Sequence, residues 1–200
     1  MASDGDIAGL QAYLQKHGSL PPSIIRFAVN NGQLATLQYL HQAGLTMPNN
    51  VLMIAVYADQ RACFEFLISI GCPVNDAVMT QAVKSGRFAY VKYLFTRGLR
   101  IPANATSRMV KPTHTEEQSR IILGWLRQHG LAFTEKTAIK AAEQGKIELF
   151  CALYADRLRI SPSGYEDLIR AAINPIVVNN TPATINGLKY CMAYVIFRRE

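Results

Sequence analysis

An internal repeat constrains this chain more than any other feature of its sequence. Ala28-Val29-Asn30-Asn31-Gly32 and Ala82-Val83-Lys84-Ser85-Gly86 are versions of one phrase, and Ala55-Val56-Tyr57-Ala58-Asp59 stands midway with Asp in the Gly position. The leading alanines at 28, 55 and 82 are 27 residues apart, and Ala141-Ala142-Glu143-Gln144-Gly145 is a later copy. A second phrase closes each unit: Gln38-Tyr39-Leu40 before Gly44, Glu65-Phe66-Leu67 before Gly71, Lys92-Tyr93-Leu94 before Gly98. Ala12-Tyr13-Leu14 before Gly18 and Gly124-Trp125-Leu126 before Gly130 follow the same rule. The step from mid-unit to closing position is twelve residues at 32–44, 59–71, 86–98 and 118–130. After Gly98 five extra residues break the count, in the stretch Met109–His114. Units this short cannot bury an apolar face alone, so neighbours must stack and share one core.

Each unit reads as two short helices. Small residues in the first, Ala-Val or Ala-Ala, let neighbouring backbones approach, and the mid-unit glycine suits the left-handed conformation that ends a helix. In the second, Leu34, Leu37, Leu40 and Phe88, Val91, Leu94 recur every three residues as one apolar face. Gly44, Gly71, Gly98 and Gly130 close that helix, and Pro21, Pro48, Pro73 and Pro102 bar its continuation. Ser23, Asn50, Asp76 and Thr134 are the expected N-caps. Thr115-x-x-Gln118 and Ser163-x-x-Glu166 have the capping-box pattern. The column Tyr13, Tyr39, Phe66, Tyr93, Trp125 is expected to be a core or inter-repeat ladder, not a ligand platform.

The order Ala-Ala-x-x-Gly-x-Leu-x-x-Val-x-x-Leu-Leu-x-x-Gly resembles the core of the ankyrin repeat. It is carried here by Ala28…Gly32-Gln33-Leu34…Leu37…Leu40…Gly44 and Ala82…Gly86-Arg87-Phe88…Val91…Leu94…Gly98. The ankyrin unit spans about 33 residues and opens its first helix with Thr-Pro-Leu-His. Here the period is 27, and those positions read Leu52-Met53-Ile54 or Met79-Thr80-Gln81. The missing residues are those that would build a projecting β-hairpin. The resemblance therefore implies an all-α, ankyrin-like helix-turn-helix solenoid without full β-hairpins. It would form one domain over 1–200, with units near 1–21, 22–48, 49–75, 76–102, 103–132 and 133–160 and a cap at 161–200. Shortened units of this kind are similar to those in proteins of large amoeba viruses and intracellular bacteria, which implies a pathogen effector as one role.

The resemblance also implies a non-enzymatic protein–protein interaction module that contacts its partner two, three and five positions after the repeated Ala. These positions are Asn30, Asn31 and Gln33, then Tyr57 and Gln60, then Lys84, Ser85 and Arg87, then Glu143, Gln144 and Lys146. Charge adds three residues. The chain carries a formal +7, and Lys84, Arg87, Lys92, Arg97, Arg100, Arg108 and Lys111 lie between Ala77 and Thr115 with no acidic residue among them. Outside that window 14 basic residues meet 14 acidic ones. Arg100, Arg108 and Lys111, at a turn and in the insertion, therefore join the expected contact set. A solvated surface, an acidic protein partner, and nucleic acid or anionic lipid all remain open for this stretch. Aromatic residues do not interleave with these charges on an exposed face, which weighs against nucleic acid.

Other chemistries find little support. The longest apolar run, Cys191 to Phe197, is far below the ~20 residues of a membrane-spanning helix. The N-terminus carries no secretory pattern. Cys63, Cys72, Cys151 and Cys191 form no CxxC pair and have apolar neighbours, so reduced, buried thiols in a cytoplasmic protein are expected. His114-Thr115-Glu116 lacks the Pro-Cys-x-x-Cys half of a zinc deaminase signature. His17 and His129, each just before a closing Gly, are expected to meet the last helix carbonyls. No phosphate loop, dinucleotide fingerprint or nucleophile elbow occurs, and no cofactor, metal or catalytic residue is expected. Leu188, Cys191, Met192, Val195 and Ile196 make an apolar stripe near the C-terminus. It is expected to pack on the preceding helix or to mediate self-association of an otherwise monomeric chain.

Overall fold

The computed structural model describes residues 7–18, 20–21, 23–155, 161, 163–164, 166–167 and 170. The apolar stripe from Leu188 lies outside them; at the start of the last unit Ser161, not Ser163, supplies the cap, its Oγ accepting from Gly164 N at 3.2 Å while Ser163 is already helical. Every regular element among the described residues is an α-helix. The chain divides into two compact units, Met1–Ile101 and Pro102–Glu200, hereafter unit 1 and unit 2. That boundary falls where the sequence periods place the end of their fourth repeat.

Unit 1 holds α1 (Ile7–His17), α2 (Ser23–Asn30), α3 (Leu34–Gln42), α4 (Val51–Tyr57), α5 (Arg61–Ser69), α6 (Asp76–Ser85) and α7 (Phe88–Thr96). Each first helix packs on its own second helix, α2 on α3, α4 on α5 and α6 on α7. Helix α4 also lies between α2 and α6, and α3 lies against α5. The sequence reason is visible in the repeated phrase: Ala28, Val29, Ala55, Val56, Ala82 and Val83 are all buried at these contacts. Alanine brings the backbones together, and valine fills the remaining space. Leu37, Leu40, Leu67, Val91 and Leu94 complete the core from the second helices. Each leucine so buried contributes about 1.5–3 kcal/mol of hydrophobic free energy.

The turns repeat as faithfully as the helices. Gly18, Gly32, Gly44, Gly71, Gly86, Gly98, Gly130 and Gly145 all have positive φ, and Asp59 occupies the same conformation at φ 59° in the glycine position. At each mid-unit turn the next N–H bonds back to the repeated alanine carbonyl: Gln33 to Ala28, Gln60 to Ala55, Arg87 to Ala82, Lys146 to Ala141, at 2.8–2.9 Å. At each closing turn Leu45, Cys72, Leu99 and Leu131 bond back to Leu40, Leu67, Leu94 and Leu126 at 3.0–3.3 Å. These six-to-one closures satisfy carbonyls that a helix end would otherwise orphan.

The caps follow the expectation in part. Thr115 and Gln118 form the reciprocal capping box of the helix Glu116–Gln128, at 3.1 and 2.9 Å. At α6, however, the cap is Asn75, whose side-chain oxygen accepts from Ala77 N and Val78 N, and Asp76 is the first helical residue. Asn50 precedes α4 without a side-chain bond. Thr134 precedes the helix Glu135–Glu143, its N–H donating to Thr137 Oγ1 at 3.2 Å. His129 meets a terminal carbonyl as expected, Nδ1 lying 2.8 Å from Trp125 O.

Unit 2 holds α8 (Ala105–Arg108), α9 (Glu116–Gln128), α10 (Glu135–Glu143) and α11 (Ile147–Ala155). Here the first helix of a pair is reduced to the single turn α8, and the insertion supplies the core instead. Met109 and Val110 are fully buried beside Ala105 and Thr106. The inserted stretch is therefore not the wholly exposed basic loop that its charges suggest. The cysteines also differ from expectation. Cys63 is buried and Cys72 half-buried, both free thiols whose pKa burial pushes up. Cys151 instead faces outward on α11 and is disulfide-bonded. The expectation of a buried, reduced thiol therefore does not hold at Cys151.

The aromatic column is half-buried at Tyr39, Phe66, Tyr93 and Trp125. Edge-to-face contacts carry it between helices, with His41 on Phe66 at 5.9 Å and Phe64 on Tyr93 at 5.7 Å. Phe64 also meets the core residue Tyr90 at 4.9 Å.

Candidate functional site

The row of first helices in unit 1 turns one face to its second helices and leaves the other in solvent. On α2, Ile25, Ala28 and Val29 are buried while Ser23, Arg26, Phe27 and Asn30 are exposed, the split an amphipathic helix requires. The same positions, 27 residues on, expose Tyr57 on α4 and Lys84 on α6. Asn30, Tyr57 and Lys84 therefore stand in one row across α2, α4 and α6. Phe27 is one helical turn below Asn30, at 60 % exposure, and Tyr57 is 68 % exposed. Ile54, the counterpart of Phe27 on α4, is half-buried between them. Two of the three large hydrophobic side chains exposed among the described residues thus lie on adjacent helices of one face. Asn31 and Ser85 border the row with local bonds, Asn31 Nδ2 in the turn donating back to Phe27 O and Ser85 Oγ accepting from Gln81 Nε2 within α6.

The position after each mid-unit turn behaves differently from its neighbours. Gln60 Nε2 donates across to Asn30 O, the end of α2, at 3.4 Å. Arg87 Nη1 donates to Asp59 Oδ2 at 2.6 Å, again in the preceding repeat. Lys146 is buried, and its Nζ donates to Lys111 O at 2.8 Å and to His114 O. All three side chains reach back to the turn before them because their N–H groups are pinned to the repeated alanine. Lys146, expected to touch a partner, is therefore removed from the surface: it satisfies carbonyls of the insertion. Burial holds its ammonium below the ordinary lysine range, partly offset by the Glu116 carboxylate. Glu116 Oε1 in turn accepts from Leu149 N, an orphan donor at the start of α11.

The remaining expected contacts are scattered. Gln33 is half-buried and makes no capping bond; Glu143 is paired with Lys140 at 2.7 Å, and Gln144 is half-buried. Arg100 and Arg108 are exposed. Lys111 is half-buried, its pKa lowered by burial and by Lys140 and Arg108. The basic window makes no single face: Lys84 is on α6, Arg87 is in its ion pair, and Lys92 and Arg97 lie over Phe88 and Tyr93 on α7. Phe27 was not among the expected contacts. The signal for it was a phenylalanine where the other repeats have Ile54 and Gln81, but a hydrophobe beside Ala-Val reads as core.

In unit 2 a shallow cleft of about 430 Å³ opens between α9 and α11, floored by Leu123, Leu149 and Leu153. Arg120 at its mouth is paired with Glu117 at 3.4 Å and Glu148 at 3.2 Å, and Arg127 lies over the Phe133 ring. Nothing in it juxtaposes a nucleophile with a base. Among the described residues no group of three or more His, Cys, Asp or Glu side chains is placed to hold a metal ion, and no helix is long and apolar enough to cross a membrane. No protein-family model matches this chain, and no curated protein matches it at a significant level.

Proposed function

We propose that this chain is a non-enzymatic interaction module, a short helical solenoid that binds a protein partner through the exposed face of α2, α4 and α6. One observation carries the reading: Phe27 and Tyr57 stand in solvent on helices whose opposite sides are locked into the core. Holding such apolar area in water is unfavourable by about 25 cal/mol per Å², and burial against a partner recovers it. Closely packed helices lose little conformational freedom on binding, so more of that gain appears as affinity. Asn30, Asn31, Lys84 and Ser85 surround the aromatic pair and would set its specificity.

Affinity capture with the wild-type chain and with Phe27→Ser/Tyr57→Ser tests this face. The double variant should keep its circular dichroism and lose the captured partner. Equal recovery by both chains would remove the face from consideration. A nucleic-acid solenoid using residues 84–111 is the lesser reading, because its cations are divided among helices and ion pairs. It requires a salt-sensitive gel shift at ~50 mM salt, and the interaction reading expects none.

A further inference from the structure

We infer that Cys151 is bonded to Cys191, and that this disulfide seats the apolar stripe of Leu188, Met192, Val195 and Ile196 on the edge of α11 turned away from α9. The covalent half follows from counting. The chain has four cysteines, at 63, 72, 151 and 191. Cys63 and Cys72 are free thiols, while Cys151 is disulfide-bonded within this single chain. Cys191, which lies outside the described residues, is the one sulfur left to pair with it.

The seat follows from α11 itself. Leu149 and Leu153 are buried and, with Ala152, line the cleft toward α9. Successive residues of a helix are turned by about 100°. Cys151 therefore stands on the other side of α11 from that lining, and it is exposed. The single charged side chain of α11, Glu148, is drawn toward α9 by its ion pair with Arg120. The edge at Cys151 is thus left without a charge of its own helix, and no later helix is described that covers it. In a stack of helix pairs each pair covers the apolar edge of the one before. A disulfide holds its two Cα atoms about 4.4–6.8 Å apart. Leu188 and Val195, three positions before Cys191 and four after it, would share its helical face. The bond therefore brings an apolar face to an uncharged edge, and both leave water.

The same bond makes the seat sensitive to redox conditions, because an exposed disulfide is open to an attacking thiolate. A dithiol reductant attacks one sulfur and releases the other cysteine as a thiol. Its second thiolate then displaces the remaining cysteine, and the reductant leaves as a cyclic disulfide. Two electrons and two protons have passed to the Cys151–Cys191 pair, and the stripe is no longer tethered.

Mass spectrometry without reduction tests the pairing on the full chain, equilibrated with oxidised glutathione and then alkylated. Trypsin should yield residues 147–157 joined to residues 190–198. Recovery of Cys151 as an alkylated thiol, or joined to Cys63 or Cys72, would overturn the pairing. Limited proteolysis tests the seat. Adding dithiothreitol should speed native tryptic cleavage after Lys189 by about tenfold or more, with cleavage after Lys92 in α7 unchanged. Cys191→Ser should show the fast cleavage with or without the dithiol. Cleavage after Lys189 that ignores both reduction and Cys191→Ser would overturn the seat and leave the bond standing. Equal acceleration after Lys92 would also overturn the seat, because the bond would then hold the whole fold and not one edge.

Discussion

The two units solve one problem with different chemistry. In unit 1 neighbouring repeats are tied by Gln60 to the end of α2 and by Arg87 to Asp59, polar contacts at the surface with the ion-paired side chains 38 % and 49 % exposed. In unit 2 the equivalent position is Lys146, with its ammonium buried against two backbone carbonyls. The difference follows from the broken register. Where α8 is a single turn, the inserted stretch closes on itself through one turn bond, His114 N to Lys111 O at 3.2 Å, and the part-buried carbonyls of Lys111 and His114 take the Lys146 ammonium as a further donor. The regular repeat can afford a weak tie at each turn; the interrupted one concentrates the burden on one residue.

The largest expected effect lies there. Lys146→Met should destabilise by about 2 kcal/mol, because His114 O loses the ammonium donor and Lys111 O keeps only the His114 N–H. Denaturant unfolding monitored by Trp125 fluorescence in unit 2 would read it, and a loss under ~1 kcal/mol would show that the carbonyls find water instead. The pH dependence has a definite sign. Lys146 is held below the ordinary 10.5 in the folded chain. Between that lowered value and 10.5 the unfolded chain keeps a proton the folded one has released, so this group makes stability rise with pH. The methionine variant should lack that rise.

Gly32→Ala comes next, at about 1–2 kcal/mol, because φ is +68° and an added Cβ would lie 2.3 Å from Gln60 Oε1. Gln60→Ala in the same chain should recover the steric part and leave the conformational part, a separation visible in a double-mutant cycle. Tyr90 should matter less at neutral pH. Its hydroxyl is buried without a hydrogen bond, so Tyr90→Phe should change stability by under ~1 kcal/mol. Burial, with Asp59 nearby, pushes that hydroxyl up to about 12. The folded chain therefore keeps a proton that the unfolded one loses near 10, and stability from this group falls between 10 and about 12, opposite in sign to Lys146. The smallest effect is expected from Asp59→Gly. It removes a half-exposed ion pair of ~0–1 kcal/mol while relieving a left-handed aspartate, so unfolding midpoints should barely move.

The turns were the most legible part of the fold. Gly32, Gly86 and Gly145 stand where the chain must take positive φ, and the repeat showed Asp59 to be in the same position before any coordinate did. The Ala-Val phrases were equally readable, since only small residues suit adjoining backbones. Side-chain direction was not readable in the same way. Gln60, Arg87 and Lys146 have the composition of surface residues, and only the backbone closure to Ala55, Ala82 and Ala141 turns them toward the preceding repeat. Met109 and Val110 were hidden by Arg108 and Lys111 on either side, which gave an inserted core segment the look of a loop. Phe27 failed for the reverse reason: next to Ala28 and Val29 its hydrophobicity suggests burial, and its helical angle decides otherwise. At α6 two capping residues in succession, Asn75 and Asp76, left the choice to backbone conformation.

The identical hydrogen-bonded closures have an evolutionary consequence. Excising residues 33–59 would join Gly32 directly to Gln60, whose N–H would meet Ala28 O as the Gln33 N–H does now. Gain or loss of one period is thus a nearly seamless edit of the main chain, and array length can drift by recombination without rebuilding a turn. The side chains would register the edit. Arg87 would then reach back to Gly32, where no carboxylate waits, so selection after such an event would act first on the reach-back positions.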